Sequence, residues 1–248
     1  MTGKRILIDT SKCIGCKACQ IACQQWHSLT AEDTTFTGSY TNPPELSETN
    51  LTLIRFIEKE EGDNVKFLFL TSRCRHCQDP RCKEACPLGA IKKQKNGIVR
   101  IDPDICDPTA CSTDPLWVDR PCQRQCPFKD FGGGTGIPRR QYVKNGTPIS
   151  GKSYKCDFCY DRFGKAQLKS GKFVGAFAKS NIPACEVTCS PGAIKSGKAD
   201  AMLNKATKRV KYLKNHGYPD ANIYPADFPT HVIWVLTEKP EVYGLSTV

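Results

Sequence analysis

Short β-type apolar runs alternate along the chain with cysteine-bearing turns. Apolar β-formers ahead of Asp and Pro breakers predict strands over Arg5–Asp9 and Ile98–Asp102, each leading into a cysteine turn. LTLIRFIE (residues 51–58) and the tail segment His231–Thr237 are further strand expectations. An amphipathic helix is expected over Lys198–Asn215, where Leu203, Ala206, Val210 and Leu213 share a face and Gly217 ends the run. Its lysine-rich opposite side reads as a solvated face. Cys23 reads as lying on the start of another helix. The longest apolar runs, VKFLFL (65–70) and HVIWVL (231–236), fall far short of the roughly 18–20 residues that span a bilayer. Two spacers interrupt the pattern: residues 24–64, with the loop-like TGSYTNPPELSETN, and residues 127–155, with FGGGTGIP.

Composition changes this picture at one residue type, because 16 of the 248 residues are cysteine. They fall into four sets, each ending in Cys-x3-Cys: Cys13, Cys16, Cys19, Cys23; Cys74, Cys77, Cys82, Cys86; Cys106, Cys111, Cys122, Cys126; and Cys156, Cys159, Cys185, Cys189. Flanking segments repeat too. CPLGAIKKQKNGIVRIDPDIC links the second and third sets, and CSPGAIKSG echoes its first half after the fourth, which points to duplicated small units. A disulfide scaffold fits poorly, since such chains usually stay below about 100 residues and cysteines two apart make better metal clamps than bridges. Zinc ribbons built on Cys74/Cys77 and Cys156/Cys159 would leave the recurring Cys-x3-Cys ending and the prolines after Cys86 and Cys126 unexplained.

The run C-x2-C-x2-C-x3-C-P is that of bacterial two-cluster ferredoxins, whose fourth cysteine serves the other cluster. Three thiolates on a turn cap three irons, and the fourth, on a helix, is expected to face away toward a second cluster. Sets could pair as sequence neighbours or nest. The short Cys86–Cys106 linker favours pairing the second set with the third, leaving the first for the fourth. Nesting assigns Cys13, Cys16, Cys19 and Cys189 to one 4Fe–4S cluster, and Cys23, Cys156, Cys159 and Cys185 to a second. Cys74, Cys77, Cys82 and Cys126 hold a third; Cys86, Cys106, Cys111 and Cys122 hold the fourth, whose wider gaps depart from the standard spacing.

The formal net charge of +11 alone would suggest nucleic acid or an anionic surface. Sixteen thiolates on four cubane cores of about +2 each contribute roughly −8, which leaves the loaded protein near +3. A basic zinc-ribbon nucleic-acid binder, marked by salt-dependent DNA binding, is the alternative from another class. GTPISGKS (146–153) matches a phosphate-loop pattern but lacks the strand before it and the helix after it. His27, His76, His216 and His231 show no ligand spacing. Tyr154, Phe158, Tyr160 and Phe163 interleave with the fourth set and read as wrapping a cluster, while Arg73, Arg75 and Lys155 beside cysteines would shift its potential or neutralise it.

With these motifs in place, the chain resembles the iron–sulfur subunits of molybdopterin oxidoreductases. CQIACQQWH, NPP, CRHC, KCDFCYDR, PACEVTC and HVIWVLTEKPEVY are most similar to the small subunit of tungsten or molybdenum formate dehydrogenases. The resemblance implies a non-catalytic electron-transfer subunit with four 4Fe–4S clusters. Its partners would be a tungsten or molybdenum pterin subunit and an external acceptor such as a cytochrome. The alternative is the same role beside a sulfur-compound or N-oxide reductase. The family's membrane-bound members carry a C-terminal anchor helix; this chain shows none and looks like the soluble type. Residues 1–13 show neither signal peptide nor twin arginine, so a periplasmic address would require co-export with the catalytic subunit; the cytoplasm is the alternative. The expected fold is α+β, with duplicated ferredoxin-like units and long loop insertions. Residues 1–70 and 150–198 would form the first unit, 71–149 the second, and 199–248 a C-terminal extension. The spacers 24–64 and 127–155 are the expected grips for the catalytic subunit.

Overall fold

The computed structural model describes residues 2–111, 120–128, 143–144, 147–148, 152–162 and 181–246. FGGGTGIP (131–138), Phe163 and half of GTPISGKS (146–153) lie outside them. In chain order come β1 (Lys4–Asp9), α1 (Ala18–His27), β2 (Leu53–Glu61), β3 (Asn64–Ser72), α2 (Arg81–Glu84), β4 (Ile91–Lys93), β5 (Val99–Ile101) and α3 (Pro121–Arg124). Then follow β6 (Val143–Lys144), β7 (Thr147–Pro148), α4 (Ala184–Val187), β8 (Ile194–Lys198), α5 (Ala199–Lys214), β9 (Asn222–Tyr224) and β10 (Val232–Leu236), a mixed α and β arrangement.

The central sheet runs β8-β1-β10-β9. β1 pairs antiparallel with β8, Ile8 opposite Ile194, and parallel with β10, Ile6 beside Val232. Side chains alternate between the two faces of a strand. Ile6, Ile8, Val232, Trp234 and Leu236 therefore enter one core, with Ile54, Leu68 and Leu70 of the β2–β3 hairpin and the sulfurs of Cys19 and Cys185. Leu7, Ile233 and Val235 face the other way, onto Ala206 and Leu213 of α5. β10 is buried on both faces, so every position must be apolar, which explains the unbroken HVIWVL run. Residues 199–248, the expected C-terminal extension, supply β9 and β10 to the sheet that holds β1 and pack α5 against it. The expected face of α5 also needs one correction. Leu203 is 40% exposed, because the stripe that meets the sheet runs through Met202, Ala206, Val210 and Leu213 and leaves Leu203 on its flank.

The β4–β5 hairpin and the turn before it dock on the start of β10. The His231 amide donates to the carbonyls of Arg75 (3.2 Å) and His76 (3.0 Å), and its Nδ1 lies 2.6 Å from the Lys4 carbonyl oxygen. Gly97, at φ +88, passes directly beneath the imidazole, where a Cβ would lie 2.0 Å from His231 Cε1. Gly62, in the two-residue β2–β3 turn, has φ +62 but open space around it.

Gly97→Ala is expected to cost about 3 kcal/mol, from strain plus overpacking, and Gly62→Ala only about 1 kcal/mol, from the left-handed backbone alone. Thermal unfolding of the two variants side by side checks this. Equal losses would mean that the His231 contact does not constrain residue 97.

Candidate metal centres

Each cysteine set places its last two cysteines one helical turn apart. Cys19 and Cys23 lie on α1, and both are buried. Cys82, Cys122 and Cys185 lie on the single turns α2, α3 and α4, while Cys86, Cys126 and Cys189 follow just past their C-caps. Four residues advance a helix by about 6 Å and turn it about 40° beyond a full circle. The expectation that the fourth cysteine faces away is therefore corrected. It points to the same side and reaches a neighbouring site by displacement along the axis.

The quartets expected from nesting are the ones brought together. Cys13, Cys16, Cys19 and Cys189 line one cavity. Cys74, Cys77, Cys82 and Cys126 line a second, and Cys86, Cys106, Cys111 and Cys122 a third. Cys23, Cys156, Cys159 and Cys185 are buried as a group: Cys23 feels the charge of Cys156 and Cys185, and Cys159 that of Cys185 and Cys23. The groups lie in a row, since Cys19 neighbours Cys185, Cys156 neighbours Cys74, and Cys82 neighbours Cys122.

All sixteen cysteines are free of disulfides. Burial, foremost, pushes the Cys82 thiol up to about 12 and those of Cys122 and Cys156 up to about 11; Cys19, Cys23 and Cys77 rise further. Sulfurs gathered four to a site are held together as thiolates by a metal cation, and soft sulfur donors suit iron–sulfur clusters. The protein also supplies donors to the sulfurs, which a cluster requires of its surroundings. Arg73 Nη1 and Nη2 lie 3.3 and 3.4 Å from Cys185 Sγ, the Ser153 amide 3.3 Å from Cys106 Sγ, and the Ile194 amide 3.4 Å from Cys189 Sγ. The residues present fit 4Fe–4S groups.

Buried cations accompany the sulfurs. Burial lowers the Arg73 pKa, but Cys185, Cys156 and Cys23 outweigh it and hold the guanidinium charged well beyond its ordinary range. Lys155 is likewise raised against burial by Cys74, Cys82 and Cys156. The Arg75 guanidinium stacks 4.0 Å above the Phe128 ring beside the Cys74 cavity.

Sequence reasoning missed Arg120 and Ser153. Arg120 is buried, donates to Ser153 Oγ, and stands among Cys122, Cys106 and Cys111. Arg73 and Lys155 each directly precede a cysteine, and the Arg-Pro-Cys run at residue 120 is a near variant of that signal. Lys152 and Ser153, the described end of the phosphate-loop look-alike, serve this region instead: Lys152 Nζ donates to the Pro103 carbonyl at 2.5 Å. The histidines have local partners. His27 pairs with Asp157 at 3.3 Å beside Cys159, His76 Nδ1 accepts from the Val99 amide at 3.0 Å, and His216 stacks on Tyr212.

The sequence matches the 4Fe-4S dicluster domain over residues 65–172 and the 4Fe-4S binding domain over residues 4–25. It is 37% identical over 244 residues to the formate dehydrogenase iron-sulfur subunit of Haemophilus influenzae, covering 96% of this chain and 66% of that one. The chain thus spans about two thirds of that relative's length. With formate dehydrogenase 2 subunit beta (cytochrome c-553) of Nitratidesulfovibrio vulgaris it shares 31% over 245 residues, 97% of this chain and 96% of that one. With the B subunit of the anaerobic dimethyl sulfoxide reductase of Escherichia coli it shares 30% over 208 residues, 80% and 75% of the two chains. A chain with these relatives, and with sulfur quartets on interlocked helical turns, belongs to the family of iron–sulfur subunits of formate dehydrogenases and their molybdopterin oxidoreductase relatives.

Proposed function

We propose that this chain relays single electrons along four 4Fe–4S clusters, between a tungsten- or molybdenum-pterin subunit acting on formate and CO2 and an external acceptor such as a cytochrome. The observation that carries this reading is the row of four cysteine quartets, each adjoining the next. Each cluster, when bound, takes up and releases one electron. The chain's own residues hold the sulfurs, bury about half of them and offset their charge; bond chemistry on formate belongs to the partner. The packing of α1 on α4 and of α2 on α3 supports two ferredoxin-like units, residues 1–70 with 150–198 and residues 71–149.

A chain of ring contacts supports spacer 24–64 as the seat of the catalytic subunit. It runs Phe69–Phe56–Tyr40–Phe36 and ends on Phe36 and Tyr40, which are 73% and 61% exposed. No helix among the described residues is long and apolar enough to cross a membrane. Co-export with the catalytic subunit to the periplasm is part of the same proposal, tested by fractionating cells for formate-dependent dye reduction. The dimethyl sulfoxide reductase relative favours one second reading, the same relay beside another pterin enzyme.

Native complex purified through this chain is expected to reduce a viologen dye with formate and to contain tungsten or molybdenum; reduction of the dye only with another substrate would select the second reading. The chain itself should carry roughly sixteen irons and a brown absorbance bleached by dithionite. Stoichiometric zinc without a charge-transfer band would reject both readings. Cys126→Ser should disturb the EPR signal of the cluster at Cys74, Cys77 and Cys82 while sparing the one at Cys106, Cys111 and Cys122. The reverse pattern would overturn the ligand assignment.

A further inference from the structure

We propose that the buried ammonium of Lys155 is the electrostatic link between the two central cluster sites, a positioning residue that keeps their potentials matched. This deepens the relay reading and rests on it. Lys155 is 5% exposed, and its Nζ donates to the carbonyls of Val99 at 2.5 Å and Cys156 at 3.0 Å. Val99 lines the cavity of Cys74, Cys77, Cys82 and Cys126, whereas Cys156 belongs to the adjoining quartet. The ammonium therefore occupies the wall between two sites contributed by different units.

Its place along the row separates Lys155 from Arg73 and Arg120. Arg73 bonds Cys185, inside the first unit, and Arg120 stands among Cys122, Cys106 and Cys111 at the far end of the row. Lys155 also directs its bonds to neutral carbonyls and the Cys74 sulfur rather than to a carboxylate. The nearby carboxylate of Asp157 is engaged by His27 and by the Cys159 amide. A positive charge between two sites stabilises an added electron on either of them, and burial makes the interaction stronger than it would be in water. Both central potentials are raised together, so the charge shifts the pair as a unit. In the crossing itself one site is oxidised and the next reduced by one electron; no bond changes and no proton moves.

The test is EPR-monitored redox titration of the complete complex with Lys155→Gln, which removes the charge and keeps a donor, and Lys155→Arg, which keeps the charge. In Lys155→Gln the reduced-to-oxidised ratio of the two central clusters, read at the wild-type midpoints, should fall about tenfold or more. The two terminal clusters should change less than about twofold, because they are farther away and screened. Lys155→Arg should titrate as wild type. Should Lys155→Gln lose iron while Lys155→Arg keeps full iron and native midpoints, the need for charge still stands. Unchanged central midpoints, an equal shift of all four clusters, or a Lys155→Arg shift as large as that of Lys155→Gln overturns the proposal. Clusters of the wild-type complex that formate cannot reduce would instead refute the relay reading.

Discussion

In each Cys-x3-Cys pair the two sulfurs, one helical turn apart, line different cavities, and the rest of this structure follows from that division. Cys19 and Cys23 on α1, like the pairs begun by Cys82, Cys122 and Cys185, each hand one sulfur to each of two adjoining sites. Every quartet must then be completed from elsewhere in the chain: Cys189 reaches the first set, and Cys126 the second. Because Cys19 and Cys185 sit in the same core as Ile6, Trp234 and Leu236, sulfur geometry and hydrophobic packing are one problem. Metal binding to such sites is coupled to folding.

Collecting so much sulfur in a small interior has an electrostatic cost, and the buried cations offset it. Arg73, Lys155 and Arg120 are all buried, and each stands among several cysteines. Isolated charges of this kind would be strongly unfavourable. Their presence accounts for part of the +11 formal charge without a polyanionic partner.

Much of this is legible in the amino-acid order. The Cys-x3-Cys endings and the short Cys86–Cys106 linker lead to the quartets the structure assembles, and helix α5 and strands β1, β5 and β10 fall where apolar spacing predicts them. What stays hidden depends on tertiary neighbours. The tail strand β10 pairs in parallel with β1 more than 220 residues away, and no local pattern names that partner. Leu203 satisfies helical spacing yet misses the sheet, because the contact stripe is set by where Leu7 and Ile233 stand. The direction of Cys23 follows from helical spacing once both it and Cys19 lie on α1; what the spacing leaves open is where that helix begins, at Ala18 after a left-handed Lys17. Ser153 gives no signal, since its role rests on an amide and a hydroxyl aimed at sulfurs that lie far from it in sequence.

The single-turn helix α4 carries an evolutionary corollary. One residue inserted between Cys185 and Cys189 would swing the final sulfur by roughly 100°, out of the cavity lined by Cys13, Cys16 and Cys19. A change of length leaves the sulfurs in place only within segments that carry none, such as residues 28–50 between α1 and β2. Lineages can remodel those stretches to suit different docking companions while the conducting array keeps its dimensions.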